Sequence, residues 1–264
     1  MARQTILITG ASRGLGAATA RIAAQMQSNV VLAARSEEDL QAVAQGIKAA
    51  GGSALAVVGD VSELADCQRF VTETIQAFGQ IDAVVNNAGV LAPIASIADG
   101  DPRRWKEGWA VNLLGPFMLT QAALPYLRQR KGRVINVSAG AAVNVYPAWA
   151  AYSSAKAGLN HFTRILAAEE PEITAIAFRP GVIDTDMQAL IRREGADSMP
   201  DEIYARFVGL YEQQELLPPE VPACALAVLA FHAPLEWSGG FLPWNHKEVQ
   251  SLVRQFACSP GPQD

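Results

Sequence analysis

The chain is poor in the features that mark most specialised classes. It has only three cysteines, Cys67, Cys224 and Cys258, far apart in 264 residues. That number and spacing exclude a disulfide framework or a zinc knuckle and suit a reducing compartment. Charged residues make up 18%, with 21 Lys and Arg against 26 Asp and Glu. This leaves no basic stripe for nucleic acid, and the charge is too sparse for a disordered chain. The longest unbroken apolar run, Ala223–Phe231, is half of the roughly 18 residues that a membrane span needs. Thr5-Ile6-Leu7-Ile8 follows Met1 too closely for a charged region, an apolar region and a cleavage site of a secretory leader. The expectation is a soluble cytoplasmic protein with no nucleic-acid or membrane partner.

What is present is apolar, 50% of the residues. Six short runs, Thr5–Ile8, Asn29–Ala34, Ala54–Val58, Ala83–Asn86, Val134–Val137 and Ile173–Phe178, are rich in Val, Ile and Ala. They are apolar throughout rather than alternating, as strands buried on both faces are. Helical periods separate them. In Glu37–Ala50, Leu40, Val43, Ala44 and Ile47 share a face opposite Glu38, Gln41 and Gln45, with Ser36 as a cap and Gly51-Gly52 as the stop. Phe70, Val71, Thr74 and Phe78 repeat the spacing before Gly79. Strand, helix and strand at intervals of about 25–30 residues mean right-handed crossovers and a parallel sheet. The fold class is α/β: a Rossmann-like, doubly wound parallel sheet of about seven strands, with helices on both faces. One domain over residues 1–258 and a frayed tail over 259–264 account for the length.

Two segments break the rhythm. Leu91–Arg104 reads as a long loop with two prolines, and residues 181–219 carry two short helical patterns, around Met187–Arg193 and Glu202–Gln213. The second is either a lid over a site or surface decoration.

Directly after the first strand comes Thr9-Gly10-Ala11-Ser12-Arg13-Gly14-Leu15-Gly16, opening a helix. Glycines there let the backbone approach a pyrophosphate, which sits on free N–H groups at the positive helix end. That position in a βαβ series points to a dinucleotide. The second strand ends Ala33-Ala34-Arg35-Ser36, without the acid that holds a ribose 2′-hydroxyl in NAD sites. Arg35 and Arg13 can instead pair with a 2′-phosphate, which points to NADP(H).

With these pieces the chain resembles the short-chain dehydrogenase/reductase family along nearly all its length. The matching text is Thr9-Gly10-x3-Gly14-x-Gly16, Asp60-Val61, Asn86-Asn87-Ala88-Gly89, Asn112, Tyr152-x3-Lys156 and Pro180-Gly181. Within the family, Ala148–Tyr152, Leu159–Phe162, Glu169–Pro171 and Pro180–Gln188 are similar to the sepiapterin reductase and fungal benzil reductase branch. The resemblance implies that Asp60 accepts from the adenine amino group with Val61 against the ring. It puts Asn87, Ala88 and Gly89 along the adenine ribose. Pro180, Gly181, Val182, Thr185 and Met187 belong to the nicotinamide end, with Val182 and Thr185 on its carboxamide. It makes Tyr152 the proton donor to a carbonyl oxygen and Lys156 the holder of the nicotinamide ribose. Asn112 orders a relay water. Lys156 lies one helical turn from Tyr152, so both share a face, and its ammonium is expected to lower the tyrosine pKa. Homodimers or homotetramers are implied as well, through the helices over 103–128 and 152–169.

The family's serine is where the match fails. It normally precedes the tyrosine by 13 positions, and here that position is Ala139; Ser138 is the neighbour. Successive strand side chains point oppositely, so Ser138 is expected to face away from Tyr152. Three accounts fit: an engineered Ser-to-Ala form, a natural chain in which Ser138, Asn144 or Tyr146 takes over, or a nucleotide-binding protein with little redox activity. For the substrate, Ala139, Tyr146, Trp149 and Met187 offer an apolar, aromatic pocket. Pro243 stands where sepiapterin reductases carry an acid for the pterin ring, which favours aromatic ketones or diketones over pterins. His161, His232 and His246 lack metal spacing, and no metal is expected. The pairs Glu37-Glu38 and Glu169-Glu170 read as solvated faces.

The function expected from all this is NADPH-dependent reduction of a small, mostly apolar ketone or diketone.

Overall fold

A computed structural model describes residues 3–256; Cys258 and the tail over 259–264 lie outside the described residues. Seven strands form one wholly parallel sheet: β1 (Thr5–Thr9), β2 (Asn29–Ala34), β3 (Ser53–Val58), β4 (Ala83–Asn86), β5 (Arg133–Val137), β6 (Thr174–Arg179) and β7 (Phe241–Pro243). The spatial order is β3-β2-β1-β4-β5-β6-β7. The chain therefore reverses direction of travel between β1 and β4, the switch point where open α/β sheets bind ligands.

The apolar runs are strands for the reason their composition suggested. Ile6, Leu7, Ile8, Val84, Val85, Ile135 and Ile176 have no exposed surface. Alternate residues enter opposite layers. Ile6 and Ile8 pack with α1 (Gly14–Gln25), α2 (Glu37–Ala49), α9 (Glu220–His232) and α10 (Lys247–Gln255). Leu7 packs with α3 (Leu64–Phe78), α5 (Gly115–Arg130) and α6 (Ala150–Glu169). The apolar run at Ala223–Phe231 is α9, almost wholly buried beneath the sheet. Among the described residues no helix is long and apolar enough to cross a membrane.

Several local expectations change. The loop over 91–104 is shorter than its prolines suggested. Pro102 is the first residue of α4 (Pro102–Trp109), where its fixed φ suits a helix start, and Asp101 caps it by accepting from the Arg103 N–H at 2.9 Å. Ser36 does not cap α2 with its side chain; its hydroxyl donates to Asp39 at 2.7 Å. The acids Glu37, Glu38 and Asp39 complement the helix dipole there instead. Glu170 is not a solvated acid, because it accepts from Arg128 across α5 and α6, the Nε contact at 2.9 Å. The seventh strand is three residues long and ends on a proline, too short to carry a periodic signal.

Residues 181–219 leave the sheet as α7 (Asp186–Glu194) and α8 (Asp201–Glu212). The two ends of this excursion are tied together: Leu217 N–H donates to Val182 and Asp184 N–H donates to Leu217, each at 2.9 Å.

Candidate active site

A cleft of about 670 Å³ opens at the carboxyl end of β1 and β4. Its floor is the turn from β1 to α1. Gly10 has φ +63°, and a Cβ there would stand 2.9 Å from Ala88 Cα. At Gly16 a Cβ would lie 2.3 Å from the Gly10 oxygen. Only glycine allows this approach, and Asn87 locks it by donating Nδ2–H to Thr9 O at 2.8 Å and Gly10 O at 3.1 Å. Thr9, missed as a site residue in sequence, accepts on its hydroxyl from the N–H groups of Asn87 and Ala88, each at 3.1 Å. The first turn of α1 has neither a side-chain cap nor an acid, so its N–H groups are left for an anion.

Of the residues singled out in sequence, Gly10, Ser12, Arg13, Gly14, Leu15, Arg35, Asp60, Val61, Asn87, Ala88 and Gly89 line one half of this cleft. Ser138, Ala139, Tyr152, Lys156, Pro180, Gly181, Thr185 and Met187 line the other. Gly16 lies beneath the turn. Both arginines are occupied: Arg13 pairs with Asp186 at 3.0 Å and Arg35 with Asp60 at 3.5 Å. Arg13 and Asp186 are each about 70% exposed, and such pairs contribute only about 0–1 kcal/mol, so a phosphate can displace the partner. Partial burial pushes the Asp60 carboxyl up. It is outweighed by hydrogen bonds from the Ser62 N–H and hydroxyl and by Arg35, which hold the group below its ordinary value.

Tyr152 and Lys156 share the inner face of α6 and are both buried. Lys156 Nζ donates to Val137 O at 2.8 Å and stands 5.8 Å from the Tyr152 ring centre. Burial pushes its pKa down to about 8. Burial also raises the tyrosine, opposite to the expected lowering. The ammonium is itself desolvated and spent on a strand carbonyl, while the phenol has lost its water.

Asn112 lies in a π-turn (Ala110–Leu114) between α4 and α5. Its side chain is held against the backbone of Val90. Nδ2 donates to Val90 O at 2.7 Å and Oδ1 accepts from Val90 N–H at 3.1 Å. A buried chain of amides and hydroxyls, absent from the sequence reading, ties β4 and β5 to α6: Asn86 donates to Asn136 at 2.8 Å, and Asn136 to Thr163 at 2.9 Å.

Ser138 donates to Asn160 Oδ1 at 2.6 Å, about two turns along α6 from Tyr152. Asn144 donates to Gly140 O at 2.9 Å. The Ser138 hydroxyl proton is thus engaged, and Asn144 does not line the cleft. Tyr146 and Trp149 do not line the cleft. They stack on one another at 5.0 Å, and Phe207 of α8 packs on Trp149 at 5.0 Å. Val182 packs beside the same cluster, and its carbonyl accepts from Leu217. Among the described residues no group of three or more His, Cys, Asp or Glu could hold a metal ion.

This cleft, at the switch point of a parallel sheet, has the form of a nucleotide-dependent oxidoreductase site, and the comparisons agree. Residues 4–196 match the family model described as short chain dehydrogenase, and the chain belongs to that family. It is 38% identical over 246 residues to an uncharacterized oxidoreductase of Schizosaccharomyces pombe, covering 92% of this chain and 97% of the relative. It is 34% identical over 258 residues to a benzil reductase ((S)-benzoin forming) of Saccharomyces cerevisiae, covering 93% and 97%. The crystal structure of a short chain dehydrogenase/reductase from Saccharomyces cerevisiae superposes with a TM-score of 0.90 at 36% identity, covering 94% of this chain and 99% of that one. An alcohol dehydrogenase from the archaeon Thermococcus sibiricus, complexed with 5-hydroxy-NADP, gives 0.77 at 26% identity, covering 91% and 95%.

The family uses a nicotinamide dinucleotide, and the cleft fits one. The uncapped helix start, the glycine-only approach at Gly10 and Gly16 and the volume all suit a pyrophosphate with a nucleoside on either side.

Proposed function

We propose that the protein is an NADPH-dependent carbonyl reductase acting on CH–OH/C=O chemistry, with a small, mostly apolar or aromatic ketone or diketone as substrate. The observation that carries the reading is the meeting of Tyr152 and Lys156, on one face of α6, with the phosphate-binding turn in a single cleft. Reduced nicotinamide supplies the hydride. Tyr152 gives its proton to the carbonyl oxygen. Lys156 holds the ribose and can recharge the tyrosine. Asn112 acts by fixing Val90, and through it the strand end at Asn87–Gly89. Arg13 and Arg35 take the 2′-phosphate, and the NADP analogue in the archaeal relative supports that preference. The benzil reductase relatives support an aromatic substrate. In this reading residues 181–219 form the lid.

The rival is a nucleotide-binding protein of the same fold with little redox activity, and Ala139 is the observation in its favour. The discriminating measurement follows NADPH absorbance with a panel of aryl ketones and diketones. Oxidation of NADPH by an aryl diketone is expected; no oxidation with any of the panel, by this chain or by Ala139→Ser, removes the reductase reading. The reading includes self-association. Trp109, Leu114, Phe117 and Ile165 on the helices over 102–130 and 150–169 each leave 40% or more of their surface exposed.

A further inference from the structure

Buried side-chain polar atoms without a hydrogen-bond partner are few among the described residues: Trp149 Nε1, Ser153 Oγ, Gln188 Oε1, Arg192 Nη1 and His246 Nδ1. Only one belongs to a side chain that lines the cleft. Gln188, in the first turn of α7, is 7% exposed and lines it together with Ala139, Tyr152 and Met187. Its Oε1 is sealed from water without a partner, and its Nε2 also makes no hydrogen bond, so the amide is unspent. Apolar filling does not explain it, because Met187, Leu190 and Ile191 already pack the neighbouring cluster.

The position of Gln188 suggests what completes it. Residues three apart on a helix share a face. Thr185, three before, lies 3.2 Å from where a Gly14 Cβ would stand, at the phosphate-binding turn. Ile191, three after, packs in the cluster that contains Leu91, Trp149 and Tyr152. Gln188 therefore stands between the nucleotide turn and the aromatic cluster. Across the cleft the β5 side offers little: Ala139 has no hydroxyl, the Ser138 hydroxyl is spent on Asn160, and Asn144 does not line the cleft.

We propose that Gln188 is a specificity-determining residue whose side-chain amide hydrogen-bonds the oxygen adjacent to the reacting carbonyl, selecting 1,2-dicarbonyl compounds over monoketones of the same shape. The inference rests on the reductase reading above. With Oε1 sealed, the NH₂ is the group left for a second carbonyl in the cleft. One carbonyl gains a hydride from NADPH at carbon and the Tyr152 proton at oxygen. Tyr152 is reprotonated from solvent, and NADP⁺ leaves. The second carbonyl stays bonded to Gln188 throughout.

The test compares benzil with deoxybenzoin, which keeps both rings and replaces one carbonyl by CH₂. Each is measured with the unchanged chain, with Gln188→Met and with Gln188→Glu, whose ionised carboxylate has the shape of the amide but cannot donate. Two readouts are taken: kcat/KM from NADPH absorbance, and Kd for each ketone on the NADP⁺-saturated protein by tryptophan fluorescence. Both variants are expected to lower kcat/KM for benzil about tenfold, to leave deoxybenzoin within about twofold and to leave the KM for NADPH unchanged. Equal loss for both ketones, a loss carried by the KM for NADPH, or no loss overturns the proposal; either variant alone suffices if the other fails to fold. If the unchanged chain reduces neither ketone, the reductase reading fails separately. The Kd values then decide: a preference for benzil that disappears in the variants sustains the contact, and equal Kd values overturn it.

Discussion

The two walls of the cleft are built by different means. The nucleotide wall, from Thr9 to Gly16 and from Asn87 to Gly89, is held by backbone geometry. Its glycines allow contacts that a Cβ would break, and its hydrogen bonds run from Asn87 and Ala88 to Thr9 and Gly10. The opposite wall, from Ala139 to Tyr152 and over α7 and α8, is held by side-chain packing, with Tyr146, Trp149 and Phe207 stacked in a cluster. Backbone-defined geometry demands particular residues, because few alternatives reach the same φ and approach. Packing tolerates exchange when volume is kept. That difference explains how the chain retains the whole nucleotide signature yet carries alanine where the family has serine.

The sharpest way to break the comparison is at its seam, where α6 meets both walls. Tyr152→Phe keeps the ring in its cluster and removes the proton donor. A fall in kcat on the order of 10²–10⁴ is expected, with the Kd for NADPH unchanged by fluorescence titration. Next in size is Ala139→Ser. A hydroxyl restored at the packed wall is expected to raise kcat by up to about 10², whereas Ser138→Ala, whose hydroxyl serves Asn160, leaves kcat unchanged. Replacing Arg13 and Arg35 together by Ser tests the rim of the nucleotide wall. The KM for NADPH is expected to rise on the order of tenfold or more while that for NADH barely moves, which steady-state kinetics with the two cofactors reads directly.

The smallest effect concerns stability. Burial lowers Lys156 from 10.5 to about 8, so between those values the unfolded chain binds the proton that the folded chain has lost. Stability of the cofactor-free protein therefore rises with pH across that window. Lys156→Met is expected to remove this share of the slope, seen as a flatter plot of Tm against pH.

The legibility of the sequence followed the same division. Six of the seven strands were readable as buried apolar runs, within a residue or so at each end, because a strand covered on both faces admits no polar alternation. The seventh, Phe241–Pro243, was too short to show a period. In the site, the glycine turn, the two arginines and the Tyr152–Lys156 spacing were visible, because a tight turn, a charge and a helical period each show in residue type. Hidden were the groups whose roles depend on what lies across the cleft. Thr9 reads only as the first residue of the glycine turn, Asn86 and Asn136 as polar residues in apolar runs, and Gln188 as one polar residue in a short helix. Trp149 and Tyr146 were readable as aromatic residues near the site, but stacking with Phe207, some 60 positions away, draws them off the cleft.

By itself the sequence determined the parallel sheet, the phosphate-binding turn, the Tyr152–Lys156 pair and the missing hydroxyl at Ala139. Each is a local matter of period, spacing or residue type. The tertiary structure alone decided how the polar groups are spent. It set Ser138 on Asn160, Asn112 on Val90, Lys156 on Val137, and left Gln188 unpaired beside the cleft. Hydrogen-bond satisfaction in a buried site depends on partners far apart in the chain, and no local pattern encodes which of them finds one.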